Sequence, residues 1–205
     1  MMPASALKVV HVLLSAQRPL SLRNLAREAR VPLSTCSRHV NELVSLGYVR
    51  KRPRIGVVNQ ELAYLLAFGR PLRSLKSVNF ETLDRPQYLI KKIADLAGGT
   101  LGYAFTHLAG AELVAPYVVP DEVHLYVRKD QLPQWDVALE SGQIYPAQNG
   151  SVHLVLSDVD AFWGAREIRG ATVVSDFLLF ADLYGCGGRA REAARFLAEK
   201  VGLNL

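Results

Sequence analysis

Residues 34–41 carry hydrogen-bonding side chains of the kinds that read DNA bases. These side chains belong to Ser34, Thr35, Ser37, Arg38 and Asn41. Arginine can donate two hydrogen bonds to a guanine edge, and asparagine can pair in the same bidentate way with adenine. Arg38 and Asn41 are therefore the best candidates for base recognition, and the short hydroxyl side chains suit base edges or phosphates. The pattern indicates contact with a DNA major groove.

A second group of polar residues follows shortly afterwards and is cationic. It comprises Arg50, Lys51, Arg52 and Arg54. Each cation that neutralises a phosphate releases condensed counterions, so such a cluster suits the DNA backbone or the minor groove. The alternative for a run of charges is a solvated loop that binds nothing.

The charge of the chain is concentrated in the same region. The 205 residues carry a net charge of +5, but residues 1–75 hold 12 Lys and Arg against 3 acids, a charge of +9. The remaining residues hold 12 basic and 16 acidic side chains, a charge of −4. This asymmetry is typical of a nucleic-acid-binding domain joined to a domain with another role.

The hydrophobic pattern predicts a helix-turn-helix over Ser21–Tyr48. Ser21 is a good N-cap for a first short helix, and Pro32 breaks the pattern before a second helix. Gly47 suits the left-handed end of that second helix. The apolar positions at helical spacing are Leu22, Leu25 and Ala26, then Cys36, Val40, Leu43 and Leu46. The polar residues of 34–41 would face away from this stripe. If the two short helices are considered alone, the alternative to a DNA-binding motif is a surface helical hairpin without a ligand.

The residue pattern of Tyr48–Val58 predicts a strand, a tight turn and a second strand, with the four cations at and before the turn. A β-hairpin in this place is a wing. The apolar spacing in Ala4–Ala16 predicts a first helix. Asn59 can cap a fourth helix over Gln60–Phe68. We therefore predict a winged helix-turn-helix DNA-binding domain over residues 1–69, followed by a linker or edge strand over residues 70–85.

Residues 86–205 mix helical and alternating patterns and predict an α+β domain. A helix begins with Pro86 in its first turn. The predicted strands are Val123–Val127, Val152–Leu156 and Glu167–Val174, the last one a strand or a hairpin around Gly170. Two closing helices, Asp176–Leu183 and Ala190–Val201, are joined by a turn at residues 185–188.

The pair Thr106-His107 and the strand containing His124 and Tyr126 stand where a nucleotidyltransferase would carry catalytic residues. Those enzymes have a Gly-Ser pair and an Asp-x-Asp there, because nucleotidyl transfer needs carboxylates to hold Mg²⁺. The rear domain thus resembles a degenerate nucleotidyltransferase-like core. The nearby acids are Asp121 and Glu122, one step early, and Asp158 and Asp160 in a predicted loop, so a rearranged site is the alternative.

Other signatures of catalysis or metal binding are weak. The histidines His11, His39, His107, His124 and His153 have no metal-type spacing in the sequence. Neither cysteine has a nearby catalytic partner, and no glycine-rich phosphate loop of a usual pattern occurs. We therefore expect no enzymatic activity, no catalytic residue, no metal and no cofactor.

Two rear segments are informative: YAFTHLAGAELVAPYVVPDEVHLYV and TVVSDFLLFADLYGCGGRAREAARFL. The second contains Val174-Ser175, Asp182-Leu183 and the run Gly188–Ala194. Together the segments resemble the C-terminal domain of the abortive-infection type IV antitoxin family (AbiEi-like), which has V-S, D-L and G-R-x-x-E-A-A at these places. The front domain is similar to the DNA-binding domains of several bacterial regulator families. With it, the resemblance covers nearly the whole chain.

The resemblance implies a repressor that binds the promoter of a two-gene operon and counteracts a co-encoded nucleotidyltransferase toxin. Its partners would be double-stranded DNA and that toxin; the oligomeric state stays open. The alternative is a ligand-responsive regulator whose C-terminal domain senses a small molecule. The charged residues of the closing motif have a structural interpretation too, as ion pairs that fasten the last two helices. They are Asp182, Arg189, Arg191 and Glu192.

The composition indicates a cytoplasmic protein. No run approaches the ~20 apolar residues that a membrane span needs. Lys8 and His11 interrupt the apolar core of the opening segment, which we interpret as a helix and not as a secretory signal. Cys36 and Cys186 are far apart in the sequence and do not suggest a disulfide framework.

Overall fold

A computed structural model of the chain describes residues 2–157 and 159–205. The helices are α1 Ala4–Ser15, α2 Leu22–Glu28, α3 Leu33–Ser45, α4 Leu62–Gly69, α5 Pro86–Ala97, α6 His107–Val114, α7 Leu132–Ser141, α8 Asp176–Cys186 and α9 Gly188–Val201. The strands are β1 Val49–Arg50, β2 Gly56–Val57, β3 Lys76–Glu81, β4 Tyr103–Thr106, β5 Val123–Val127, β6 Tyr145–Pro146, β7 Val152–Leu156, β8 Arg166–Ile168 and β9 Ala171–Val173. The predicted α+β class is confirmed. In the described part of the chain, every helix is too short or too polar to cross a membrane.

The helix-turn-helix forms where the sequence predicts it. Ser21 caps α2 by accepting a 3.2 Å hydrogen bond from a backbone N–H of the first turn. α3 follows Pro32 and ends before Gly47, whose φ of +78° is the left-handed conformation that glycine tolerates. The backbone N–H groups of Gly47 and Tyr48 donate to the carbonyls of Val44 and Leu43 in the last turn of α3, which is the Schellman pattern.

The predicted wing is a hairpin of two short strands. β1 and β2 pair antiparallel, with Val49 opposite Val57. Leu20 and Ile55 exchange backbone hydrogen bonds of 2.8 and 2.9 Å, so the segment before α2 adds an antiparallel bridge to the hairpin. The wing is therefore tied to the helix-turn-helix from two sides.

The fourth helix begins slightly later than the sequence indicates. Oδ1 of Asn59 accepts a 2.8 Å hydrogen bond from the backbone N–H of Glu61, as a capping side chain would. The regular helix α4 starts at Leu62 and packs against α1 and α8. α4 thus joins the front domain to the rear one.

The rear domain is built on a seven-stranded mixed sheet in the order β6-β3-β7-β5-β4-β9-β8. β5 runs parallel to β7, and β4 runs parallel to β9, whereas the other neighbours are antiparallel. α6 packs against α8 and α9, and α5 packs against α7. β5 and β7, the two strands with the clearest alternation in the sequence, are neighbours near the centre of this sheet.

Three expectations for the rear half need correction or addition. β3 is not an edge strand, because it pairs with β7 along one side and with β6 at its end. Gly185 and Cys186 belong to α8 rather than to a turn, so that Gly187 alone separates α8 from α9. The helix α7 and the strand β6 had no counterpart in the sequence interpretation.

The front and rear domains share one continuous hydrophobic core. α1 and α4 both pack against α8. A side chain at Gly185 would place its Cβ 2.7 Å from the carbonyl oxygen of Ala67, so glycine is needed for the close approach of α4 to α8. The DNA-binding domain is therefore packed against the rear domain and not carried on a free tether, while the boundaries at residues 69 and 86 stay a prediction.

Candidate nucleic-acid interface

The buried face of α3 fixes which side chains the helix presents. Cys36, Val40 and Leu43 lie in the core. Burial raises the pKa of the Cys36 thiol to about 11, so the residue acts as a small neutral hydrophobe. Of the polar residues predicted to contact DNA, Ser34, Arg38 and Asn41 are exposed, and Thr35 and Ser37 are half-buried. The fold therefore leaves all five on the accessible side of α3.

His39 ties the buried side of α3 to α1. Its Nδ1 lies 3.1 Å from Oε2 of Glu42, which can only accept, so Nδ1 carries a proton. Its Nε2 lies 2.9 Å from Oγ of Ser5 in α1. The ring thus holds the orientation of α3 about its own axis, and with it the directions of Arg38 and Asn41.

The N-terminal end of α3 is suited to an anion. Its N-cap residue is Pro32, which has no side-chain acceptor for the first N–H groups of the helix. Unsatisfied N–H groups and the helix dipole together favour a phosphate at such an end. Ser34 and Thr35 lie in this first turn, so the end of α3 that offers hydroxyl groups also offers backbone donors.

The wing and α3 meet through their polar side chains. Nζ of Lys51 donates a 2.8 Å hydrogen bond to Oδ1 of Asn41. Both residues are exposed. The two groups of residues that the sequence separates, the polar face of α3 and the basic wing, therefore form one continuous surface.

A groove beside the wing adds residues that sequence reasoning missed. It has a volume of about 600 Å³ and is lined by Arg18, Pro19, Leu20, Asn24, Arg50, Pro53 and Arg54. Arg18 and Asn24 come from the loop before α2 and from α2 itself, and they were not among the predicted contacts. The only sequence signal was the position of Arg18 next to Pro19, which marks the end of α1.

The cations of this surface are free to meet phosphates. Within residues 2–157 and 159–205, Arg38, Arg50, Lys51, Arg52 and Arg54 form no ion pair with a carboxylate. Other arginines of the front domain do have acidic partners, for example Arg30, which lies 3.2 Å from Asp160. α3 and the wing thus present five cations without a carboxylate partner in this part of the chain.

The rear carboxylates are engaged in other contacts. Asp182 is buried, and Oδ1 accepts a 3.1 Å hydrogen bond from Arg70. Burial raises the pKa of Asp182, an effect that the Arg70 charge and two hydroxyl donors oppose. Asp121 pairs with Arg189 at 2.6 Å, and Asp160 pairs with Arg30. Glu122 lies beside His124 and His153, at 3.8 and 3.3 Å. Asp158, the remaining acid considered for a rearranged site, lies outside the described residues.

The closing motif therefore makes ion pairs, but not between the last two helices. Asp182 pairs with Arg70 at the end of α4, and Arg189 pairs with Asp121 in the segment before β5. Arg191 does connect the two closing helices, since its guanidinium lies 4.8 Å from the ring centroid of Tyr184. The ion pairs fasten α8 and α9 to the rest of the molecule.

Three of the five histidines lie together, although their spacing in the sequence does not indicate it. His124 on β5 and His153 on β7 face each other in the parallel register, with ring centroids 4.3 Å apart. His107 follows, with its ring centroid 4.8 Å from that of His124. Burial lowers the pKa of His124 to about 2 and that of His107 to about 4, so both rings are neutral at pH 7. Strand pairing, which sequence spacing does not reveal, brings three imidazoles together.

Comparison with known protein families gives two matches. Residues 5–53 match a family model described as the IclR helix-turn-helix domain. Residues 74–202, well over half of the chain, match a family model described as "Transcriptional regulator, AbiEi antitoxin, Type IV TA system". No curated protein and no solved structure matches the chain significantly.

Proposed function

The chain belongs to the AbiEi antitoxin family of type IV toxin–antitoxin systems, and we propose that it represses its own operon by binding the promoter through α3 and the wing. It is a DNA-binding transcriptional regulator by its helix-turn-helix domain and an antitoxin by its rear domain. The alternative of a ligand-responsive regulator is not favoured by these matches.

The main support for DNA binding is the continuous surface formed by α3 and the wing. Arg38 and Asn41 are exposed on α3, and Lys51 of the wing contacts Asn41. A recognition helix enters the major groove with its N-terminal residues against base edges, while a neighbouring basic hairpin lies on the backbone. In the proposal, Arg38 and Asn41 read bases, assisted by Ser34, Thr35 and Ser37, and the four wing cations bind phosphate or the minor groove.

The rear domain, in this proposal, counteracts a nucleotidyltransferase toxin and performs no chemistry itself. In support, Asp182 is held by Arg70 in a buried ion pair, and Asp121 makes an exposed ion pair with Arg189. The strand positions where such an enzyme would need carboxylates for Mg²⁺ carry His124 and Tyr126. The proposal places the chain in the cytoplasm, where both the operon and a co-encoded toxin would be found.

The test of DNA binding is titration of a fluorescent duplex from the promoter of the chain's own operon at several salt concentrations. If four to six cations meet phosphates, the slope of log K against log salt is roughly −4 to −5. A scrambled duplex of the same length serves as the control for sequence specificity. Equal affinity for both duplexes at every salt concentration would contradict specific repression.

The antitoxin role is tested separately by co-expression with the toxin encoded beside the gene. The wild-type chain should restore growth, and Arg38→Ala should restore it equally well while losing promoter repression. If Arg38→Ala lost both activities together, the division of labour between the front and rear domains would be wrong.

A further inference from the structure

We propose that Glu122, His124 and His153 form a binding site for a divalent transition-metal ion, with Zn²⁺ as the best match. One ligand atom from each residue lies within 4.8 Å of the other two. The site lies where β5 and β7 of the rear sheet begin, and none of its residues belongs to α3 or the wing.

The distances from Glu122 to the two imidazoles are close to those between ligands of a shared ion. Oε2 of Glu122 lies 3.3 Å from Nε2 of His153 and 3.8 Å from Nε2 of His124. Two ligands that each bind Zn²⁺ at ~2.0–2.1 Å in tetrahedral geometry are roughly 3.3 Å apart. The pair formed by Glu122 and His153 already has this separation, and a small movement of the half-exposed Glu122 would bring the pair with His124 to it. The planes of the two imidazole rings are 20° apart, so one ring would also rotate for both nitrogens to point at the ion.

The hydrogen bonds behind His153 fix which of its nitrogens faces Glu122. Nδ2 of Asn79 donates a 3.2 Å hydrogen bond to the carbonyl of Gln148, so Oδ1 of Asn79 is the acceptor. Nδ1 of His153, 3.0 Å from that oxygen, must then carry the proton. A metal-binding histidine usually donates its second N–H to such an oxygen.

It follows that two acceptors face each other across 3.3 Å. With its one proton on Nδ1, the His153 ring directs the lone pair of Nε2 towards Oε2 of Glu122, and a cation between these two groups, either a metal ion or a proton, removes their repulsion. A metal ion satisfies both lone pairs without requiring a buried imidazolium.

The surroundings of the three residues suit an ion that enters from solvent. The side chains of His124 and His153 are 14% and 16% exposed, whereas that of Glu122 is 51% exposed. Behind them, both ring nitrogens of His107 are buried without a hydrogen-bond partner in the described part of the chain. His107 also has a φ of +53°, an uncommon backbone conformation for a residue with a side chain.

The ligand set selects the class of metal. Imidazole suits Zn²⁺, Cu²⁺, Ni²⁺ and Fe²⁺, whereas Mg²⁺ prefers oxygen ligands and keeps much of its water. Two histidines and one carboxylate leave a fourth tetrahedral position for water. The ion would join β5 to β7 and to the segment before β5, and so stabilise the centre of the rear sheet.

The experiment uses the full-length chain without a histidine tag, stripped of metal with EDTA and then titrated with Zn²⁺ or Co²⁺. Zn²⁺ affinity is measured by competition with a chromophoric chelator, and Co²⁺ geometry is read from its visible d–d absorption. We expect one ion per chain, a tetrahedral Co²⁺ spectrum, a melting temperature raised by Zn²⁺, and no response to Mg²⁺.

Matched variants assign the binding to these residues. Glu122→Gln should weaken Zn²⁺ binding at least ~10-fold. Asn79→Ala, which removes the partner of His153 together with the hydrogen bonds to Ser77 and Gln148, should weaken it by about 10–100-fold. Asp121→Asn changes the adjacent acid, which pairs with Arg189, and should leave the affinity unchanged. Both acids lie in an exposed segment, so neither substitution should prevent folding.

Two results would overturn the proposal. One is the absence of stoichiometric Zn²⁺ or Co²⁺ binding by the wild-type chain, which would leave a shared proton as the cation between Glu122 and His153. The other is equal weakening by Glu122→Gln and Asp121→Asn, which would locate the ion elsewhere. DNA binding and toxin neutralisation are not needed for either measurement, so the metal site and the proposed function can fail independently.

Discussion

The guanidinium of Arg70 donates a 3.1 Å hydrogen bond to Oδ1 of Asp182 inside the core, between the end of α4 and the middle of α8. Oδ2 of Asp182 accepts two further hydrogen bonds of 2.7 Å from the hydroxyl groups of Thr106 and Tyr126. Arg70 also donates to Tyr126, at 2.8 Å. This buried network links the end of the DNA-binding domain to β4 and β5 of the rear sheet.

Replacing Asp182 by alanine should therefore destabilise the whole chain strongly. The change leaves the buried Arg70 charge without its partner, which costs about 3–5 kcal/mol in the free energy of unfolding. Urea denaturation measures this. Asp121→Ala is the control, because the side chains of Asp121 and Arg189 are 61% and 63% exposed, and it should cost less than about 1 kcal/mol. Similar losses for the two variants would show that the buried network does not hold the domains together.

The front domain could be predicted from sequence because its determinants are local. The cap at Ser21, the break at Pro32 and the left-handed Gly47 lie within the segment that they shape. The helix α7 was missed because only Trp135 and Leu139 are buried in it, which is too few positions to give a helical pattern. A local pattern is visible in a sequence only when several residues repeat it.

The order of the rear sheet and the histidine cluster could not be predicted for a related reason. The parallel pairing of β5 with β7 places His124 opposite His153. Likewise, β9 pairs with β4, from which it is separated by most of the rear domain. Such pairings depend on contacts between distant segments, and the alternation that identifies a strand does not say which strand lies beside it.

Arg38→Ala should relax the sequence preference of DNA binding. Arg38 is exposed on α3 and has no acidic partner in the described part of the chain, so its guanidinium is available for a guanine edge. We expect a loss of about 1–3 kcal/mol on the promoter duplex and little change on a scrambled one. Lys91→Ala, which removes an exposed cation of the rear domain, is the control. A uniform loss on both duplexes would assign Arg38 to the phosphate backbone.

Lys51→Ala should weaken binding to all duplexes about equally. Its ammonium group lies at the wing, where it contacts Asn41 in the free protein and would contact phosphate in the complex. We expect the salt slope of log K to become smaller by about 1. Binding isotherms at several salt concentrations measure both effects. If Lys51→Ala altered specificity alone, its contact with Asn41 would be its main role and the wing would not act as a phosphate clamp.

His11 in α1 should make the fold sensitive to acid. It is fully buried, and neither ring nitrogen has a hydrogen-bond partner in the described part of the chain. Burial, and to a lesser degree the charge of Arg70, lowers its pKa to about 3. The unfolded chain binds a proton at His11 below pH ~6.5 whereas the folded chain does not, so stability falls as the pH decreases from that value towards 3. Between pH 7 and pH 5 this group alone lowers the free energy of unfolding by about 2 kcal/mol.

Urea denaturation of the wild type and of His11→Leu at both pH values isolates the effect, because the other buried histidines titrate equally in the two proteins. The wild type should lose about 2 kcal/mol more than His11→Leu over this interval. Equal losses would mean that His11 is protonated in the folded chain, with its charge compensated by a neighbour.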